Sequence, residues 1–139
     1  MAVITKTMKI RTKGELQMIN ITEEVEAVVR ESKVSDGIAT IFVPGSTAAV
    51  TTIEYEPGLL KDFPEMLERV APRNIRYEHE QMWHDGNGHS HVRASLIGPS
   101  LTVPFVHKQL ALGTWQQIVL IELDIRSRER KLVVQVIGE

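Results

Sequence analysis

Residues 85–100 read DGNGHSHVRASLIGPS, a glycine-rich approach followed by an alternating run. Side chains alternate faces along a strand, so a strand reading puts His89, His91, Arg93 and Ser95 on one side. Ser90, Val92, Ala94 and Leu96 then take the other side, the one a core would want. The stretch therefore predicts a strand with a polar, chemistry-bearing face.

The rest of the chain sets the frame for that strand. Its 139 residues fit one domain, spanning 1–139, and the 42% apolar and 24% charged content is that of a globular protein. There is no cysteine, which excludes disulfides, thiolate metal ligands and cysteine nucleophiles. No apolar run is long enough to span a bilayer, and no basic-then-apolar leader opens the chain, so a cytoplasmic protein without membrane partners is expected. A net charge of −2 gives no overall attraction to nucleic acid. The basic cluster Arg126, Arg128, Arg130 and Lys131 is short, interrupted by Glu129, and reads first as a solvated turn.

Moving outward from the opening stretch, AVITKTMKIRT (2–12) alternates as a strand. NITEEVEAVVRES (20–32) changes period: Ile21, Val25, Val28 and Val29 form one helical stripe. Asn20 or Thr22 can cap that helix, and Glu23 and Glu24 suit its positive end. SDG (35–37) ends it. IATIFVP (38–44) and STAAVTTIEYEP (46–57) read as strands, and LLKDFPEMLERV (59–70) as helix, divided in two if Pro64 breaks it. Residues 71–88 form a polar connection with a short strand around Ile75–His79. LTVPFVH (101–107), GTWQQIVLIELDI (113–125) and KLVVQVIG (131–138) follow the opening strand at a spacing that suggests antiparallel pairing. The expected fold is α+β: strand-rich, with mixed or antiparallel sheets in a sandwich-like core and two helical segments in the first half.

Four of the five histidines, His79, His84, His89 and His91, lie within thirteen residues. On a strand, His89 and His91 could both reach one cation, and imidazole suits zinc, nickel, copper or iron. His79 or His84 would supply a third ligand, leaving an open position that activates water or holds a phosphate oxygen. The plainer account is a hydrogen-bonded polar face without metal, or histidines at a subunit contact. Arg93 offers a planar donor fork to an anion, and PGST (44–47) and GPS (98–100) offer backbone and hydroxyl donors, although either is commonly an ordinary turn. Glu122 sits in an apolar run and needs a partner, either an arginine of the 126–130 turn or a ligand. Gln116 shares its strand face, and Trp115 lies on the opposite one.

STAA…E…EPG (46–58), YEH (77–79), NGHSH…ASLIGPS (87–100), Pro104, GTWQ (113–116), Glu122 and the terminal GE occur in an order and spacing that resembles the YjbQ-like family. Its members are small proteins also described as secondary thiamine-phosphate synthases. The resemblance covers nearly the whole chain. It implies a compact α+β subunit assembled as a homotrimer. It also implies a weak synthase activity that joins hydroxymethylpyrimidine diphosphate to thiazole phosphate with loss of pyrophosphate. His79, His89 and His91 match recurrent family histidines, and Glu54, Ser100, Gln116 and Glu122 match recurrent polar positions.

Two departures stand out: Gly45 occupies the place of a histidine common in relatives, and Ile53-Glu54-Tyr55 replaces Asn-Glu-Asn. Combined with the residue reading, the expected metal ligands are His79, His89 and His91, and the catalytic groups are Glu54 and Arg93. The expected substrate contacts are Ser46, Thr47, Ser95, Ser100, Gln116, Glu122 and Arg130. The implied cofactor is a divalent metal, zinc or another transition metal, with Mg²⁺ an option for a diphosphate substrate. The implied partner is a phosphorylated small molecule. The rival expectation is a non-catalytic trimeric module that seats an anion or a metal.

Overall fold

A computed structural model describes all residues, 1–139. Along the chain run β1 (Ala2–Arg11), β2 (Met18–Asn20), α1 (Thr22–Glu31), β3 (Gly37–Phe42), β4 (Ala48–Glu54) and α2 (Leu59–Val70). They are followed by α3 (Glu78–Trp83), α4 (Gly88–Ile97), β5 (Ser100–Val106), β6 (Gln109–Leu110), β7 (Gln116–Glu122) and β8 (Glu129–Gly138). The five-stranded sheet has the order β1-β8-β3-β5-β6 and the three-stranded sheet the order β2-β7-β4. Every pairing is antiparallel. The chain is thus α+β, as its patterning indicates, with four helices rather than two. No helix is long and apolar enough to cross a membrane.

The small sheet is the middle layer. One of its faces contributes Ala48, Val50, Ile118 and Leu120 to a core shared with α1 and the inner face of the large sheet. The other face contributes Ala49, Ile53, Val119 and Ile121 to a second core with Leu67 of α2 and Ala94 of α4. Burial on both faces explains why IVLI in β7 is a continuous apolar run instead of an alternating one. At its start, α1 is tied to β7 by Thr22: its amide donates to Asn20 Oδ1 (3.0 Å), and its Oγ1 accepts the Ile118 amide (2.8 Å). Pro64 does not divide α2, which runs unbroken from Leu59 to Val70 although the proline lies beyond its first turn.

The largest correction concerns the opening stretch: residues 88–97 form helix α4, not a strand. Gly88, His89, Ser90, Arg93 and Ala94 are buried, whereas Val92, Ser95 and Leu96 are exposed. The pairs 89/93 and 90/94 are four residues apart, the spacing of one helical face. Gly98 stops the helix at φ 99°, a backbone conformation that favours glycine, and its amide donates to the Ala94 carbonyl (2.8 Å). The expected strand at 75–79 is likewise absent; irregular chain leads there into α3.

Candidate functional site

Winding residues 88–97 into a helix separates the side chains that a strand would have aligned. His89 and Arg93 point inward and are each 1% exposed. His89 Nε2 meets Glu15 Oε1 at 2.5 Å. Arg93 donates from Nε to the Ala71 carbonyl (3.0 Å) and from Nη2 to Glu68 (2.8 Å), while its Nη1 lies 3.7 Å from Glu15. Arg73 closes the same cluster on Glu15 at 2.7 Å. This buried clamp ties α4 to α2 and to the chain before β2. Arg93 is therefore not a free donor for an anion, and His89 is not placed as a co-ligand of His91.

His91 projects from a different face of α4 and stacks on His79 of α3, with ring centroids 4.3 Å apart. Around this pair, His79 Nδ1 lies 3.5 Å from Asp85 and 3.8 Å from Glu80. One ligand atom from each of His79, Glu80 and Asp85 lies within 4.8 Å of the others. His79 Nδ1 is buried and has no hydrogen-bond partner. The other buried side-chain polar atoms without partners are Asn87 Oδ1 and Ser90 Oγ, from the same α3–α4 segment. Burial first, and the neighbouring His79 second, push the His91 pKa below its ordinary value, although Asp124, Asp85 and Glu80 pull the other way. His91 is thus neutral at neutral pH, with a ring nitrogen free for a proton or a metal.

Asp124 connects this pair to the rest of the site. It accepts from Asn87 Nδ2 (3.3 Å), Thr47 Oγ1 (3.1 Å) and Arg128, whose Nη2 approaches to 2.6 Å. Burial pushes its pKa up. The bonds from Arg128, the Ile125 amide, Asn87 and Thr47 outweigh that and hold it at about 2. Next to it, the fully buried Glu122 accepts from Arg130 Nε (2.8 Å) and Nη2 (2.5 Å) and from Thr12 Oγ1 (2.7 Å). Of the two roles the sequence leaves open for Glu122, the observed contacts are those of the ion pair with an arginine of the following turn.

The other expected contacts scatter. Ser46 and Ser95 line a small cleft of about 140 Å³ with Gly45, Ala48, Ala94 and Pro99. Thr47 is buried beside Asp124 and Arg130. Ser100 is exposed on β5, opposite Phe42. Glu54 and Gln116 pair with each other at one end of the β4–β7 ladder, whereas Ala48 and Glu122 pair at the other. Six residues of strand make that separation about 20 Å, so within one chain Glu54 and Gln116 do not join the histidines. Glu54 instead borders a cleft with Asn20, Tyr55, Glu56, Thr114, Trp115 and Gln117.

Sequence reasoning missed Glu80, Asp85, Asn87 and Asp124. Asp85 and Asn87 stand in the glycine-rich approach itself, and an acidic residue after an apolar strand was a usable signal for Asp124.

Taken together, fold and site define a small three-layer α+β protein with an imidazole–carboxylate notch between α3, α4 and the end of β7. The family model described as UPF0047 protein YjbQ-like matches residues 6–139, and the chain belongs to that family. A UPF0047 protein of Methanothermobacter thermautotrophicus is 39% identical over 139 residues, covering 100% of this chain and 95% of the relative. YugU of Bacillus subtilis is 36% identical over 135 residues, covering 96% and 98%. The crystal structure of a YbjQ-like protein of unknown function from Sulfolobus solfataricus superposes with a TM-score of 0.89 at 31% identity, covering 99% of this chain and 100% of that one.

Proposed function

We propose that the chain is a metal-binding enzyme acting on a phosphorylated small molecule, with its centre at His79 and His91 and not at a His89–His91 pair. The observation that carries this reading is the buried His79 Nδ1, unpaired between two carboxylates and stacked with a neutral imidazole. His79 with Glu80 and Asp85 forms a mixed nitrogen and oxygen set suited to zinc or another divalent transition metal, and the His91 ring lies alongside it. Such an ion would supply Lewis acidity to a phosphoryl oxygen. The chain's own contribution is positional. The Glu15–His89–Arg93 clamp fixes α4 and hence His91, while Asp124, held ionised, keeps Asn87 and Thr47 oriented towards the notch.

The specific reaction we attach to this site is the thiamine-phosphate synthase step that family resemblance implies. Departure of pyrophosphate from a pyrimidine-methyl centre needs charge neutralisation more than a strong nucleophile, and a metal held at the notch would supply that neutralisation. A homotrimer in the cytoplasm completes the proposal. The outward face of the large sheet supports self-association: Val3, Ile38, Phe42 and Val106 are 61, 41, 42 and 54% exposed there.

The test is elemental analysis of protein purified without nickel affinity, beside the His79→Ala/His91→Ala double variant. About one zinc-class ion per chain in the wild type and none in the variant supports the centre. No bound metal in folded wild-type protein overturns it. Complementation of a thiamine-requiring strain separately tests the synthase step, and light scattering in solution tests the trimer.

A further inference from the structure

We infer that Gly45, Ser46 and Thr47, together with Arg130, form an oxyanion seat for a phosphate or diphosphate group. This deepens the reading above by giving the substrate's phosphate a place. Arg130 is 7% exposed. Its Nε and Nη2 are taken up by Glu122, and Nη2 also by the Thr47 carbonyl (3.1 Å) and hydroxyl (2.9 Å). Nη1 has no acceptor in the chain. It stands 3.0 Å from the point where a Cβ on Gly45 would sit, and Gly45 has φ +123°. A buried guanidinium thus aims an unused N–H at the one residue of the loop that has no side chain to cover it.

The loop itself adds donors. The amides of Gly45, Ser46 and Thr47 reach no backbone carbonyl. Consecutive free amides beside a guanidinium are the elements of a backbone anion nest. The cleft beside Gly45 and Ser46 also brings the exposed Ser95 hydroxyl to the same end of the site.

Local charge is balanced, since Arg128 pairs with Asp124 and Arg130 with Glu122, so an anion at Nη1 would be held by the free donors and not by a surplus of positive charge. The seat is joined to the helix that carries His91, because Thr47 donates to Asp124 (3.1 Å) and Asp124 also accepts from Asn87, the residue at the start of α4 (3.3 Å). A phosphate held at the loop would place the adjoining part of its carrier towards His79 and His91.

The experiment is a titration of ¹⁵N-labelled, chelator-treated wild-type protein with inorganic phosphate and then pyrophosphate, following backbone amide and arginine side-chain resonances. The seat predicts saturable shifts at Gly45, Ser46, Thr47 and the Arg130 guanidinium, with one common dissociation constant. Gly45→Ala, whose methyl would crowd Nη1, is expected to weaken binding at least tenfold while keeping a dispersed spectrum. Arg130→Lys, which retains a counterion for Glu122 but not the fork, should also weaken it. No shift at the three amides, or shifts confined to another basic surface such as Arg30 and Lys108, overturns the seat. Because the protein is metal-free, phosphate shifts without later metal uptake would sink the metal reading alone. Metal uptake without phosphate shifts would sink the seat alone.

Discussion

Replacing Arg93 by alanine tests the placement of α4, on which every statement about the site depends. The side chain is 1% exposed and holds three elements together through the Ala71 carbonyl, Glu68 and Glu15. Truncation strands the buried Ala71 carbonyl, at a cost of about 1–3 kcal/mol. Glu68 is half exposed, so its bond adds less than about 1 kcal/mol. Glu15 keeps Arg73 and His89 but loses the nearby Arg93 guanidinium, and the space left by that group adds a cavity term. Breaking a buried ion pair at one partner typically costs about 3–5 kcal/mol, and we expect the lower half of that range. With a urea m-value of about 2 kcal/mol/M, the unfolding midpoint falls by roughly 2 M. Protein concentration must be held fixed across the series, since assembly shifts apparent stability. The exposed Ser95→Ala, two residues on, should change stability by less than about 0.5 kcal/mol. A strand would put both residues on one face. Comparable effects of the two substitutions, or a loss below about 1 kcal/mol for Arg93→Ala, would refute the helix and its clamp.

The site's acidity should be readable as stability against pH. Asp124 titrates at about 2 in the folded protein against 3.8 for the free group, so its stabilisation is present above pH 3.8 and lost as pH falls through 2. That is worth about 2 kcal/mol, so Asp124→Asn should cost that much at pH 7, with the difference closing near pH 2 in denaturation curves. His91 acts with the same sign: its folded pKa lies below 6.5, the unfolded chain takes the proton first, and stability declines as pH drops below 6.5. His91→Asn should flatten that part of the profile; an unchanged slope would count against the buried, neutral ring. Gly37→Ala addresses the large sheet, because a Cβ there would lie 2.1 Å from the Ile137 carbonyl oxygen, across from Gly138. We expect a loss of about 3 kcal/mol or more and a melting temperature lower by roughly 10 °C; a near-neutral result would contradict the β3–β8 register.

Most of the layering could be read from residue patterns. The Ile21, Val25, Val28, Val29 stripe is α1, the doubly buried IVLI run is β7, and the alternation of 131–138 is β8. Helix α4 could not be read with the same ease, because its ten residues satisfy two periods at once. His89, His91, Arg93 and Ser95 fit an alternation of two, while 89/93 and 90/94 fit a helix. Exposed Val92 and Leu96 blur the apolar stripe that would have decided between them. The deciding partner of the inward face, Glu15, lies 74 residues away from His89. For the same reason the histidine cluster was visible as a density of imidazoles, but which two meet was not. Asp124 joins them only because β7 ends beside α4, and Glu54 leaves them because it sits at the far end of β4. Gly45, which the sequence marks as part of a donor-bearing turn and as the replacement of a histidine common in relatives, gains a specific neighbour in the unused guanidinium N–H beside it.

Crystals of the wild-type protein equilibrated with zinc, with diffraction recorded on both sides of the zinc absorption edge, test the central claim most directly. We expect an anomalous peak at the His79 ring, within bonding distance of Glu80 or Asp85 and adjacent to His91, while His89 stays bonded to Glu15. A peak coordinated by His89, or no peak there in folded protein, would contradict it.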